Sequence, residues 1–215
     1  MEPEAYFFDF DGVIVDSVEI KAKAFALLFE SHGSRIQEKI VSHHLNNGGM
    51  TRAQKIKYYF ENFVGQKISE IDLANYCEKF SQIVENEVVA APEIEGARDF
   101  LQKVFGTIKC FIVSATPDDE LVRIVEKRDL DKYFIEVLGS KHSKTQNLIY
   151  LIKKYHLTSF NCKFFGDAIN DYNAAKNCFV PFIGIIPDTD SPLYKKAPEM
   201  MWSKNFLYGN IGKII

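Results

Sequence analysis

The 215-residue chain has little cysteine, one tryptophan and no long apolar run, and each shortage closes off a class of protein. Its four cysteines, Cys77, Cys110, Cys162 and Cys178, lie far apart with no Cys-x-x-Cys spacing. Cys110 and Cys162 sit in apolar, strand-like runs, so the four read as buried thiols rather than a disulfide framework. A chain of this length buries roughly 70% of its unfolded surface and needs no covalent staple. No apolar run approaches the ~18 residues of a membrane span. No basic segment followed by an apolar stretch opens the sequence, and the expected setting is a reducing cytoplasm. Acids and bases are interspersed and the net charge is −3. No basic face is available for a phosphate backbone, and nucleic acid is not an expected partner. Repeats and low-complexity segments are absent, and the expected state is a monomer or weak dimer.

What is present is an alternation of apolar patterns interrupted once. Residues 5 to 9 read as a short buried strand, and the next comparable run, Ile108 to Val113, comes only about a hundred residues later. Helical signals fill the interval. Asp16-Ser17-Val18-Glu19 has capping-box spacing before a stripe of Ile20, Ala24, Phe25, Leu28 and Phe29, with Gly33 at the exit. Thr51-Arg52-Ala53-Gln54 and Ser69-Glu70-Ile71-Asp72 open two more helices, and Pro92 closes the last. Residues 16–90 are therefore expected to form an all-helical insertion, with residues 1–15 and 91–215 as the core. From Pro92 onward the patterns run helix 95–105, strand 108–113, helix 117–128, strand 135–138, helix 145–156, strand 162–166, helix 170–178 and strand 180–185. This predicts an α/β fold, a parallel sheet of at least five strands with helices on both faces. The tail from Pro187 reads as mostly irregular, with Met200-Met201-Trp202 as a short edge strand.

Four segments at strand ends carry chemistry. Asp9-Phe10-Asp11-Gly12-Val13-Ile14 places two carboxylates where a strand finishes, a costly arrangement unless a cation or hydrogen-bond donors receive them. The plain alternative is a solvated loop. In Val113-Ser114-Ala115-Thr116-Pro117 a strand gives way to a helix that Thr116 can cap with Pro117 at the first position, which aims Ser114 at a natural phosphate site. Ser114 alone reads equally as a turn residue. Gly139-Ser140-Lys141-His142-Ser143-Lys144 offers a lysine as a point charge on a phosphate, and Lys144 is preferred over Lys141 because the helix pattern starts directly after it. Gly166-Asp167-Ala168-Ile169-Asn170-Asp171 sets two acids four apart at a helix start, suited to a hard cation or to simple capping. All four follow predicted parallel strands, so the fold would gather them at one sheet edge.

These motifs, in this order and spacing, resemble the haloacid dehalogenase-like hydrolases, in the phosphoglycolate phosphatase and β-phosphoglucomutase-like branch. The resemblance covers essentially the whole chain, and the helical insertion after the first motif is similar to that branch's cap. It implies a Rossmann-like core and a Mg2+-dependent phosphatase acting on a small phosphate monoester through an aspartyl-phosphate. Asp9 would be the nucleophile and Asp11 the acid and base. Gly12, Ser114, Ala115 and Lys144 would bind the phosphoryl group. Asp9, the backbone carbonyl of Asp11, Asp167 and Asp171 would hold the metal. Relatives often carry proline after the third-motif lysine, where this chain has Thr145. Members that cleave carbon–halogen or carbon–phosphorus bonds lack an acid at the position of Asp11, so neither activity is expected.

Specificity in this branch is implied to lie in the cap. Gly48-Gly49-Met50-Thr51-Arg52 is the segment singled out, with Arg52 either reaching an anionic leaving group or standing solvated in a capping box. Of the adjacent His43 and His44 at most one can face the site, and no spacing supports zinc ligation by them. A sugar phosphomutase uses the same aspartyl-phosphate and is the nearest alternative. A response-regulator receiver would place its acids on separate early strands of a shorter chain, and a non-catalytic scaffold has no need of the full acid, hydroxyl and lysine set.

Overall fold

The computed structural model describes residues 3–211. Its sheet comprises β1 (Ala5–Phe8), β2 (Lys109–Val113), β3 (Glu136–Leu138), β4 (Cys162–Gly166), β5 (Phe182–Ile185) and β6 (Met201–Ser203). All pairings are parallel and the order is β3-β2-β1-β4-β5-β6. The edge strand expected near Met200 is thus present. All four residues of β1 are buried, which is why its sequence is an unbroken apolar run. The pleat sends Tyr6 and Phe8 to one face and Ala5 and Phe7 to the other, and two separate hydrophobic clusters result. Phe8 stacks on Phe165 with ring centroids 4.9 Å apart, and Phe7 lies 5.5 Å from Phe111 on the opposite face. Truncation of either β1 phenylalanine to alanine should cost about 3–5 kcal/mol.

Four helices are inserted between β1 and Pro92: α1 (Val18–Leu28), α2 (Ser34–Asn46), α3 (Arg52–Tyr59) and α4 (Glu70–Ala90). Phe25, Phe29, Tyr59, Phe60, Phe80 and Val84 join them, in the same cluster as the Tyr6 and Phe8 face of the sheet. Helix α5 (Ala97–Val104) and α6 (Asp118–Lys127) cover that face, while α7 (Lys144–Lys154) and α8 (Ile169–Asn177) cover the other. The fold is a Rossmann-like core with an inserted helical cap. Two short helices, α9 (Pro192–Lys196) and α10 (Tyr208–Ile211), stand in the tail that reads as irregular. Residues 212–215 of that tail lie outside the described residues. Among the described residues no helix is long and apolar enough to cross a membrane.

The capping residues separate local from tertiary roles. Thr51 with Gln54 forms the expected capping box, and Ser69 accepts from the Asp72 N–H. Ser143 with Gln146 forms another, which makes Lys144 the first residue of α7. Two expectations are corrected. Ser17 rather than Asp16 stands at the N-cap of α1 and no capping box forms there, and Pro117 rather than Thr116 stands at the N-cap of α6. Both hydroxyls are instead drawn to Asp11. A buried carboxylate competes more strongly for a donor than a helix end does. Helix α2 has no counterpart in the sequence reading, because it buries only Ile40 and His44 and so carries little apolar stripe.

Candidate active site

The Asp9 N–H donates to the Phe165 carbonyl at 2.9 Å, which fixes the end of β1 between β2 and β4, where the strand order reverses. Asp9 Oδ1 accepts from the Phe10 N–H at 2.7 Å, and Oδ2 lies 2.7 Å from Lys144 Nζ. Lys144 also meets Asp171 Oδ1 at 2.5 Å, and Asp171 Oδ2 accepts from the Ala168 N–H at 3.1 Å. Burial opposes the charge on Lys144, but Asp171 and Asp9 outweigh it and hold the ammonium above the usual lysine range. Lys141 is exposed and only its backbone N–H is engaged, by Asp118, so Lys144 is the lysine brought to the acids.

Ligand oxygens of Asp9, Asp167 and Asp171 lie within 4.8 Å of one another. Burial, reinforced by the neighbouring carboxylates, pushes the carboxyls of Asp9 and Asp167 well above their ordinary range. Three converging hard oxygen donors, two of them penalised for carrying charge, fit a divalent cation such as Mg2+. Gly12 permits the convergence. Its φ is +76°, and a Cβ there would stand 2.3 Å from Asp167 Oδ2.

The Asp11 carboxylate is not part of that cluster and is engaged by other groups. Ser17 Oγ donates to its Oδ1 at 2.6 Å, Thr116 Oγ1 donates to Oδ2 at 2.9 Å, and Lys21 Nζ bonds both Oδ2 and, at 2.8 Å, Thr116 Oγ1. Burial would raise this carboxyl, but the Lys21 ammonium and the Ser17 and Thr116 hydroxyls prevail and hold it below the carboxylate range. Ser114 is fully buried at the end of β2, and its Oγ accepts from the Thr116 N–H at 3.2 Å. Asp9, Asp11, Gly12, Ser114, Ala115 and Asp167 all line one cavity of about 670 Å³.

The opposite wall of the cavity belongs to the cap. Gly48 and Gly49 press against the loop that starts α8: a Cβ at either would come within 2.9 Å of the Ala168 or Asn170 Cβ. Arg52 lines the cavity, yet its guanidinium is committed elsewhere. Nη2 meets both Glu120 oxygens at 2.6 and 2.8 Å, Nη1 reaches Ser81 Oγ and the Cys77 carbonyl, and the group lies 4.5 Å from the Phe80 ring centroid. It is neither solvated nor directed at a leaving group; it ties the cap to α6. Of the two histidines His44 lines the cavity, and His43 stacks on Tyr58 at 4.3 Å.

Residues 6–185 match the haloacid dehalogenase-like hydrolase family. The chain belongs to that family. It is 25% identical over 185 residues, 81% of each chain, to a phosphorylated carbohydrates phosphatase of Thermotoga maritima. Among solved structures it resembles a predicted phosphoglycolate phosphatase of Haemophilus somnus at 18% identity and TM-score 0.77, covering 100% of this chain and 98% of the other. It likewise resembles a β-phosphoglucomutase of Clostridium difficile at 18% identity and TM-score 0.75, with 96% and 92% covered.

Three cavity residues of this haloacid dehalogenase-like protein escape a sequence reading: Lys21, Lys55 and Thr116. The signal was positional. Lys21 shares a helix face with Ser17 and Phe25, and Lys55 with Arg52, Ile56 and Tyr59, so each lysine stands in a buried stripe.

Proposed function

We propose that this haloacid dehalogenase-like phosphatase hydrolyses a small phosphate monoester, of the sugar phosphate or phosphoglycolate kind, through an aspartyl-phosphate on Asp9. Residues 16–90 serve as the cap over a core of residues 1–15 and 91–215. The observation that carries the reading is the meeting of Asp9, Asp167, Asp171 and Lys144 at the end of β1, although sequence places them far apart. The carboxylates of Asp9, Asp167 and Asp171, with the Asp11 backbone carbonyl, would hold Mg2+. When bound, the ion neutralises the phosphoryl charge that otherwise repels an incoming carboxylate.

The Phe10 N–H holds one oxygen of Asp9, and the other, which lies against Lys144, attacks phosphorus. An Asp9 Oδ–P bond forms as the bond from phosphorus to the leaving oxygen breaks, and Asp11 delivers a proton to the departing alkoxide. Water then attacks phosphorus, Asp11 takes its proton, and Asp9 is released with inorganic phosphate. The base half of that role suits the anionic Asp11 beside Lys21; the acid half works against the Lys21 contact, which must loosen for a proton to be carried. Ser114, the Ala115 backbone and Lys144 stabilise the transferring oxygens, and Lys144 keeps Asp9 oriented meanwhile. The relative named for phosphorylated carbohydrates supports the substrate class.

The test is phosphate release from sugar phosphates, phosphoglycolate and nucleotides, with Mg2+ and with EDTA. Release that depends on Mg2+ is expected. Conversion of glucose 1-phosphate to glucose 6-phosphate without phosphate release would replace the phosphatase reading with a phosphomutase, and no turnover of any ester would remove both.

A further inference from the structure

Five lysines line or adjoin the cavity, and they are not equivalent: Lys196 and Lys204 are exposed to solvent, whereas Lys21, Lys55 and Lys144 are buried. Lys144 is matched to Asp9 and Asp171, and Lys21 is matched to Asp11. Lys55, on α3 in the cap, is 4% exposed and lies against the same cavity, yet among the described residues no carboxylate stands within ion-pair distance of it. Its hydrogen-bond partner is a neutral group, His44 Nδ1 at 3.0 Å. The other buried cap cations of the cavity, Lys21 and Arg52, are neutralised by Asp11 and Glu120. One buried ammonium in this cap is therefore left without a directly paired carboxylate among the described residues.

The surroundings say what would pair with it. Burial and the nearby Lys55 and Lys21 charges push the His44 imidazole down to about 2, so it is neutral. Because an ammonium has only donors, Nδ1 must accept and the imidazole proton sits on Nε2. His44, itself tilted against Phe25 with ring centroids 5.2 Å apart, thus aims Lys55 without cancelling its charge. Burial and Lys21 push the Lys55 ammonium down to about 7 against the opposing pull of the more distant Asp167 and Asp11, an unfavourable state that an incoming anion relieves. The scissile phosphate cannot be that anion if it is held among Asp9, Ser114 and Lys144. A cavity of about 670 Å³ spanning both walls leaves room for one molecule to meet both.

Resting on the phosphatase reading, we propose that Lys55, aimed by His44, is a specificity residue that binds a second anionic group, carboxylate or phosphate, on the leaving-group side of the substrate. The physiological substrate is then a phosphate ester with two anionic ends, and the neutral sugar monophosphates are its poorer analogues.

The experiment compares kcat/KM for phosphoglycolate and fructose 1,6-bisphosphate with that for glucose 6-phosphate and p-nitrophenyl phosphate, in wild type, Lys55→Met, Lys55→Gln and Lys55→Arg. The wild-type ratio of two-anion to neutral esters should fall roughly 10- to 100-fold in Lys55→Met and Lys55→Gln and be largely kept in Lys55→Arg, as expected for a charge-assisted contact. The ester more affected tells whether carboxylate or phosphate is the group bound. Equal losses on all four esters, or an unchanged ratio, would overturn the inference. If wild type hydrolyses none of them the phosphatase reading fails, and ligand-induced shifts of Tm then decide on Lys55 separately. A larger shift with 3-phosphonopropionate than with propylphosphonate, lost in Lys55→Gln, sustains the anion site; equal shifts overturn it.

Discussion

The two walls of the cavity are built on opposite principles. At the sheet edge Lys144 is matched to Asp9 and Asp171, and backbone N–H groups of Phe10 and Ala168 lock those acids in place. On the cap wall Lys21 and Arg52 are locked to the core through Asp11 and Glu120, and a third buried cation, Lys55, meets a neutral imidazole. The difference separates tasks. A parallel sheet holds its strand ends to a fixed register, which suits groups that must meet one phosphorus atom, whereas an inserted helix can change its residues without disturbing that register.

The comparison is broken most forcefully at the sheet edge. Asp167→Asn removes one of three converging carboxylates and should lower kcat/KM on the order of 10³-fold. It should also abolish any rise of Tm on adding Mg2+. A variant that keeps both would show that this wall does not bind the metal.

Next comes the Arg52–Glu120 pair, both partners almost fully buried. Glu120→Gln leaves the guanidinium without its counter-charge, and unfolding by denaturant should show a loss on the order of 3 kcal/mol. A loss below ~1 kcal/mol would mean that Ser81 and the Cys77 carbonyl suffice to hold Arg52.

Lys55→Met should act in the other direction. In the folded chain Lys55 titrates at about 7 against its usual 10.5, so the folded state holds fewer protons than the unfolded state between those values. The penalty is full below pH 7 and fades as pH rises towards 10.5. The variant should therefore be more stable than wild type by on the order of 1–3 kcal/mol at pH 6, with the advantage shrinking by pH 10. Equal stability at pH 6 would mean that Lys55 is already neutralised without ligand.

The smallest effect is expected at Arg123, which joins α6 to Glu85 of α4 from a half-exposed position. Arg123→Ala should cost less than ~1 kcal/mol, because solvent screens the pair. Read beside Glu120→Gln, it shows that burial, and not the mere number of cap-to-core ion pairs, decides which of them holds the cap.

Sequence patterns reveal the sheet edge far better than the cap wall, for a physical reason. Strands covered on both faces write continuous apolar runs, so β1, β2 and β4 stand out, and the acids after β1 and β4 are conspicuous because charge rarely follows such runs without cause. Helix α2 writes almost nothing, since most of its side chains face solvent. Thr116 reads as a cap, and the role of Ser17 goes unseen, because a hydroxyl suited to a helix end is equally suited to a distant carboxylate, and only tertiary structure chooses between them. Arg52 looked like a ligand-binding residue because its partner, Glu120, lies 68 positions away. Lys21 and Lys55 are hidden in the ordinary expectation that lysines are solvated.

In the proposed mechanism Asp9, held by Phe10 N–H and Lys144 at the end of β1, is the nucleophile that accepts the phosphoryl group. Single-turnover phosphate release by Asp9→Asn, alongside wild type in Mg2+ with Tm confirming the fold, tests it most directly. Loss of release to the limit of detection in a folded variant is the predicted result, and release at near wild-type rate would contradict it.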